Sequence, residues 1–228
     1  MADHNWRVRA GGVKAGVIAL FVLLQVFLVF VARHDTMDVE SAPNTIPTPS
    51  YRGGARIGQS FKAASDGLAR IDVLLGTHGR ANDRDIRFRV WELTPARRLV
   101  AEVVFNASDV RNNLYRTFRF PPQLHSKGRP FLFEFKSRAS SVANSFAVWT
   151  NANDVYKDGE FLFNGRAVGG DLTFRAYARR PVWTELSRMA RSRSGIFGSV
   201  IVVAVAFLIF ELVSVLFLKK LLDVLWKG

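Results

Sequence analysis

Cysteine is absent from the 228 residues, so no disulfide framework staples this chain and no thiolate does chemistry in it. That absence neither requires nor forbids an oxidising compartment. The four histidines, His4, His34, His78 and His125, are scattered, and no pair has metal-ligand spacing. The chain has no G-x-S-x-G, no P-loop and no H-E-x-x-H. Gly53-Gly54 and Gly169-Gly170 read as turn material, and Asp83 and Asp85 as solvated loop carboxylates. A catalytic site needs convergent groups. The expectation is therefore a chain that is not an enzyme and holds no cofactor and no metal.

Long hydrophobic runs are present, and there are two. Val13–Ala32 reads VKAGVIALFVLLQVFLVFVA, and Gly195–Leu218 reads GIFGSVIVVAVAFLIFELVSVLFL. About 20 helical residues cross a ~30 Å hydrocarbon core, so each run suffices for a transmembrane helix. The basic start, Arg7, Arg9 and Lys14, would suit a signal peptide. The apolar run exceeds a signal core in length, and bulky Phe30 occupies the place of a small cleavage-site residue, so an uncleaved anchor is expected. Those three charges, with Lys219, Lys220 and Lys227 after the second run, favour both termini in the cytoplasm. Arg179, Arg180, Arg188, Arg191 and Arg193 argue the other way. A long domain translocates largely regardless of its charge, and the first helix usually dominates. The expected order is a cytoplasmic N-terminus 1–12, helix 13–32, a Pro-rich linker 33–50, a domain 51–180, a basic segment 181–194, helix 195–218 and a cytoplasmic tail 219–228.

The linker takes its character from Pro43, Pro47 and Pro49, which remove donors and hold the chain extended. Residues 51–180 then alternate with period two. Ile71, Val73 and Leu75 share one face; so do Ile86, Phe88 and Val90, and Phe131, Phe133 and Phe135. Similar runs at 56–61, 99–105, 118–120, 146–148, 160–163 and 172–177 make nine short strands separated by turn signals. The fold class is all-β: an antiparallel β-sandwich flanked by two transmembrane α-helices. In 181–194, Trp183, Leu186, Met189 and Ala190 fall at helical spacing beside Arg188, Arg191 and Arg193. That pattern suits a short helix lying on headgroups.

Charge is lopsided, at +13 overall. Residues 51–180 hold 22 Lys and Arg against 12 Asp and Glu, a difference of +10. No nucleic acid is expected as partner, because a domain outside the cytoplasm rarely meets it. Anionic lipid headgroups or an acidic polysaccharide fit better, and the alternative is a merely solvated basic surface. Arg87, Arg89, Arg119, Lys136 and Arg175 all fall opposite core positions, and would form one basic face if their strands adjoin.

The candidate glycan-binding loop is TNANDVYKDGE. Asn151, Asn153 and Asp154, with Asp158, supply oxygens and amides, while Trp149 and Tyr156 supply flat apolar faces. The competing reading is an Asx-rich hairpin loop with a core tryptophan. EF-hand spacing for calcium is absent. Inside the spans stand Gln25 and Glu211. A carboxyl at that depth costs a few kcal/mol unless protonated or paired. Under N-in topology the two residues are expected at different levels, so Glu211 and Gln25 are candidate intramembrane contacts to a partner; the alternatives for Glu211 are snorkelling and a tolerated, protonated carboxyl.

The series IGQSFKAASDGLARIDVLLGTHGR, FRVWEL, FRFPPQLHSKGRPFLFEF and DLTFRAYAR runs from Ile57 to Arg179. Its Gln59-x-Phe61 strand, Gly67-Leu68-x-x-Ile71 strand, Phe118-to-Pro121 entry and Ser126-Lys127-Gly128 hairpin resemble a jelly-roll, carbohydrate-binding-module-like domain of bacterial envelope and glycan-assembly membrane proteins. These motifs set turns and core faces. The resemblance implies a jelly-roll-like fold, a place in the bacterial inner membrane with the central domain periplasmic or extracellular, and contact with polysaccharide. Two functional readings follow. One is a non-catalytic accessory subunit of a larger integral-membrane protein complex. The other is a structural or assembly subunit of an energy-transducing or transport complex, with the sandwich as a protein interface.

Overall fold

The computed structural model describes residues 2–41, 46–48, 54–80, 82–137, 146–192 and 199–226, and the side chains from residue 12 onward. The chain divides into a helical unit, Met1–His34 with Arg180–Gly228, and a sandwich unit, Asp35–Arg179. Four strands open the chain order: β1 (Arg33–Glu40), β2 (Ile46–Pro47), β3 (Arg56–Lys62) and β4 (Leu68–Gly76). Next come β5 (Asp85–Glu92), β6 (Arg98–Asn106), β7 (Leu114–Gln123), β8 (Pro130–Ser137) and β9 (Ala147–Asn151). The last are β10 (Phe161–Phe163), β11 (Arg166–Ala167), β12 (Asp171–Leu172) and β13 (Phe174–Pro181).

Two sheets result. The seven-stranded sheet runs β1-β13-β4-β9-β12, with β7 pairing on β4 and β2 on β9. The six-stranded sheet runs β11-β10-β3-β8-β5-β6. The pairs β3–β8, β4–β7, β5–β6 and β5–β8 are antiparallel; of these only β5–β6 joins successive strands by a short turn. The fold class is thus a mostly antiparallel β-sandwich, with two apolar helices toward the ends of the chain. Alternation dictates the core: Phe131, Phe133 and Phe135 of β8 are fully buried, as are Ile86, Phe88 and Val90 of β5. Phe88 stacks on Phe118 at 3.7 Å, and Phe133 meets Phe174 edge-on at 5.2 Å. Each such ring contributes roughly 2–3 kcal/mol by burial.

Residues 33–40, read above as linker, are instead strand β1. Three features recruit it without a hydrophobic run. Val39 is buried in the core. The Asp38 carboxylate accepts the backbone N–H groups of Ala64 and Ser65, and Asp35 bridges to Arg70 at 3.6 Å. The proline-rich remainder lies partly outside the described residues. Of its prolines, Pro47 sits in the two-residue strand β2, beside Trp149 of β9.

In the helical unit, α1 covers Ala2–Val26 and closes with a π-helical turn at Phe27–Val31. The helix α2 covers Val182–Arg191, and α3 covers Val200–Leu225. Residues 195–198 of the second apolar run fall outside the described residues. Gly12–Val31 and Val200–Leu225 are each long and apolar enough to cross a membrane.

Candidate functional site

The loop after Trp149 is organised from beneath by a carboxylate. Asp171 is fully buried; its Oδ2 accepts the backbone N–H groups of Val155 and Tyr156 at 2.9 and 2.8 Å. Its Oδ1 accepts from Gln59 Nε2 at 2.9 Å, and Gln59 Oε1 in turn accepts from Leu172 N at 2.8 Å. This buried relay joins β3 to β12 and fixes the loop. Much of the polar inventory predicted for a sugar is spent on the loop itself. Asn151 Oδ1 accepts from Asn153 N, and Asp154 pairs with Lys157 at 2.9 Å. The Tyr156 hydroxyl bonds both the N–H and the C=O of Lys62, and its ring meets Phe174 edge-on at 5.9 Å. Burial pushes its phenol above the usual tyrosine range. Trp149 is half-buried and its indole donates to Asn113 Oδ1 at 3.1 Å. The two rings are therefore engaged at different places, Trp149 with Asn113 and Tyr156 with Lys62 and Phe174. Tyr156 instead walls a cleft of about 570 Å³ with Asp38, Glu40, Lys62, Lys127 and Asp158. No sequence motif marks that cleft, because its walls come from four separated segments.

The expected single basic face is corrected: it divides between the two sheets. Arg87 and Arg89 on β5 and Lys136 on β8 share the six-stranded sheet, whereas Arg119 on β7 and Arg175 on β13 flank β4 in the other. Strand order separates them, and strand order is not encoded in alternation. On the seven-stranded sheet the cations are largely neutralised. Arg175 pairs with Glu40 at 2.7 Å, Arg70 with Asp72 at 2.5 Å, and Arg119 with Asp35. Two of these guanidiniums also cover tyrosines: Arg70 lies 4.1 Å from the Tyr177 ring centre and Arg175 4.4 Å from that of Tyr115.

The six-stranded sheet carries two acidic knots. Glu92 is buried and receives Arg129 at 2.5 Å and Arg98 at 2.6 Å. The hydrogen bond from Arg129, then that from Arg98, holds its carboxyl below the usual range. Glu102 receives Arg89 at 2.6 Å and Arg87 at 3.5 Å, and is lowered chiefly by the Arg89 hydrogen bond. The register also sets Arg56, which sequence reading passed over, directly opposite Lys136. Among the described residues, no group of three or more His, Asp or Glu side chains is placed to hold a metal ion.

In the helical unit, Lys14 of α1 bridges Asp223 of α3 at 2.7 Å, and Phe30 meets Phe207 edge-on at 5.9 Å. These two contacts fix an antiparallel register. Gln25 stands eleven residues beyond Lys14 and Glu211 twelve before Asp223. At about 1.5 Å per residue they share one level. The expectation of different depths is thus corrected. Gln25 Nε2 and both Glu211 carboxylate oxygens are shielded within this unit and have no hydrogen-bond partner among the described residues. They face into the helical unit rather than outward. Helix α2 packs Trp183 on Phe30 at 5.2 Å. Its buried Glu185 receives Arg180 at 3.0 Å and Arg188 at 2.5 Å.

No known protein-family model matches this sequence, and no characterised protein does.

Proposed function

We propose that the chain is a two-pass, non-catalytic accessory subunit of a bacterial inner-membrane complex, presenting its β-sandwich outside the cytoplasm to glycan or to a partner protein. One observation carries the reading. Over its 26 residues α3 exposes Leu208, Phe210, Leu212, Val213 and Phe217, while the polar atoms of Glu211 turn inward. Such a surface suits lipid or an apolar helix of a larger membrane protein. The likeness of residues 57–179 to glycan-assembly modules supports the glycan context.

A second reading rests on the seven-stranded sheet. Arg70 over Tyr177 and Arg175 over Tyr115 form an ordered Arg–Tyr surface, the composition enriched at protein interfaces. It supports an assembly subunit of an energy-transducing or transport complex.

The test is purification of the tagged full chain in mild detergent, with the associated proteins identified. A stoichiometric integral-membrane partner acting on glycans supports the first reading, and one from an energy-transducing or transport complex the second. A chain that purifies alone and monodisperse overturns both.

A further inference from the structure

Consider the outward-facing rows that cross β3, β8 and β5. In one row Gly58 lies opposite Glu134, Glu134 opposite Arg89, and Arg89 opposite Glu102. The order is bare, negative, positive, negative, as cross-strand pairing favours. Two residues along, Arg56 lies opposite Lys136, and Lys136 opposite Arg87. That row is positive, positive, positive. Like charges directly opposite are destabilising. Adjacent strands lie about 4.8 Å apart, so the row spans roughly 10 Å.

Little within the chain offsets it. Neither Arg56 nor Lys136 makes an ion pair among the described residues, and both side chains are exposed. Arg87 reaches Glu102 at 3.5 Å, but Arg89 holds that carboxylate closer, at 2.6 Å. Shallow hollows flank the row. One of about 120 Å³ is lined by Asp85, Arg87, Val104 and Lys136. The other, of about 90 Å³, includes Arg56, Arg97, Glu134 and Asn164.

We propose that the Arg56–Lys136–Arg87 row binds a uronate-bearing polysaccharide laid across β3, β8 and β5. Its place on the outer side of the membrane rests on the orientation proposed above. In a ribbon-like 1,4-linked polyuronide the carboxylates on one side recur every second unit, so two of them match the roughly 10 Å between the outer cations Arg56 and Arg87 across the strand spacing. Asp85, beside Arg87 and Lys136, accepts a sugar hydroxyl, as a shallow polar glycan site requires. Adjacent outward positions are Gly58, Glu134 and Arg89, which suit a hydrated polymer better than an apolar wedge in lipid. The ligand offsets a repulsion that the fold relieves only in part, through Glu102 on Arg87 and Asp85 beside Arg87 and Lys136.

The experiment uses the full chain in phosphatidylcholine nanodiscs with polygalacturonate as probe, dextran as neutral control, and vesicles containing phosphatidylglycerol as the lipid arm. Expected is binding that weakens steeply with salt and is absent for dextran. Lys136→Gln and Arg56→Gln should each weaken it at least fivefold, while Arg166→Gln, on exposed β11, should not. Lys136→Gln should also leave the melting temperature equal or raise it, since the middle of three like charges is removed. A purely structural role for Lys136 would lower the melting temperature. The proposal is overturned by no binding, by equal binding to dextran, by unchanged affinity in Lys136→Gln, or by tighter capture on the anionic vesicles through the same row. Because binding in nanodiscs does not depend on which face of a cell membrane the sandwich occupies, a wrong orientation would show only in topology reporters.

Discussion

Asp171 is where the chemistry of a single side chain decides a surface. Its two oxygens satisfy the Gln59 amide and the backbone N–H groups of Val155 and Tyr156. Removing it strands the buried Gln59 amide and the N–H of half-buried Tyr156, each worth about 1–3 kcal/mol, and frees the N–H of exposed Val155. Asp171→Leu should therefore destabilise the sandwich by about 3 kcal/mol or more. Asp171→Asn should cost less, because its remaining oxygen still accepts. Asp154→Ala, in the same loop but exposed, should stay within about 0.5 kcal/mol. Denaturation midpoints of the full chain in detergent read all three; equal midpoints for Asp171→Leu and Asp154→Ala would contradict the relay. Sequence reading picked out Gln59 as an extended position before Phe61. Its partner lay hidden, because Asp171 is 112 residues away and resembles any turn aspartate before an apolar strand.

At the scale of elements, what was legible followed the burial signal. The runs ending in Phe135, Val90 and Leu75 announced β8, β5 and β4 through strict alternation, since one face of each is buried. Strand β1 did not, because it is held by Asp35 and Asp38 rather than by a hydrophobic stripe. Register was equally invisible, and with it the Arg56–Lys136–Arg87 row and the shared level of Gln25 and Glu211. That level changes what Glu211 should do. With its oxygens shielded inside the helical unit, the expected outcome is that it acts within that unit rather than on an outside helix. The absence of cysteine makes the test clean. Cysteines replacing Phe30 and Phe207, whose rings meet at 5.9 Å, should be joined by a short bis-maleimide in membranes. Adding Glu211→Leu removes a carboxyl that costs about 2.5–3.5 kcal/mol at the bilayer centre on insertion scales. Insertion should be at least as efficient, and co-purification of any partner unchanged. Loss of the partner with cross-linking intact would instead return Glu211 to an external contact.

On the scale of the whole molecule, each unit poses a different problem to its solvent. The sandwich satisfies its backbone through ladders and carries charge on both sheets, so it belongs in water. The two long helices bury little and expose Leu, Val and Phe along their length, and each is long and apolar enough to cross a membrane. The proposed two-pass topology has both termini on one side, and the charges flanking the spans bear on which side that is. Lys14, Lys219 and Lys220 lie at the terminal ends of the spans, against Arg33 at the exit of the first. Basic residues at short tails govern orientation more than those of a long domain. Reporters fused at either end should accordingly read cytoplasm, and a reporter in the turn at Asn164-Gly165 should read the outside. Reversing the flank, with Arg7, Arg9 and Lys14 changed to Gln and two lysines added after Arg33, should invert a measurable fraction of chains. A cytoplasmic signal from the Asn164-Gly165 reporter in the unaltered protein would reverse the orientation. It would also leave the cationic row of β3, β8 and β5 facing a compartment without extracellular polysaccharide.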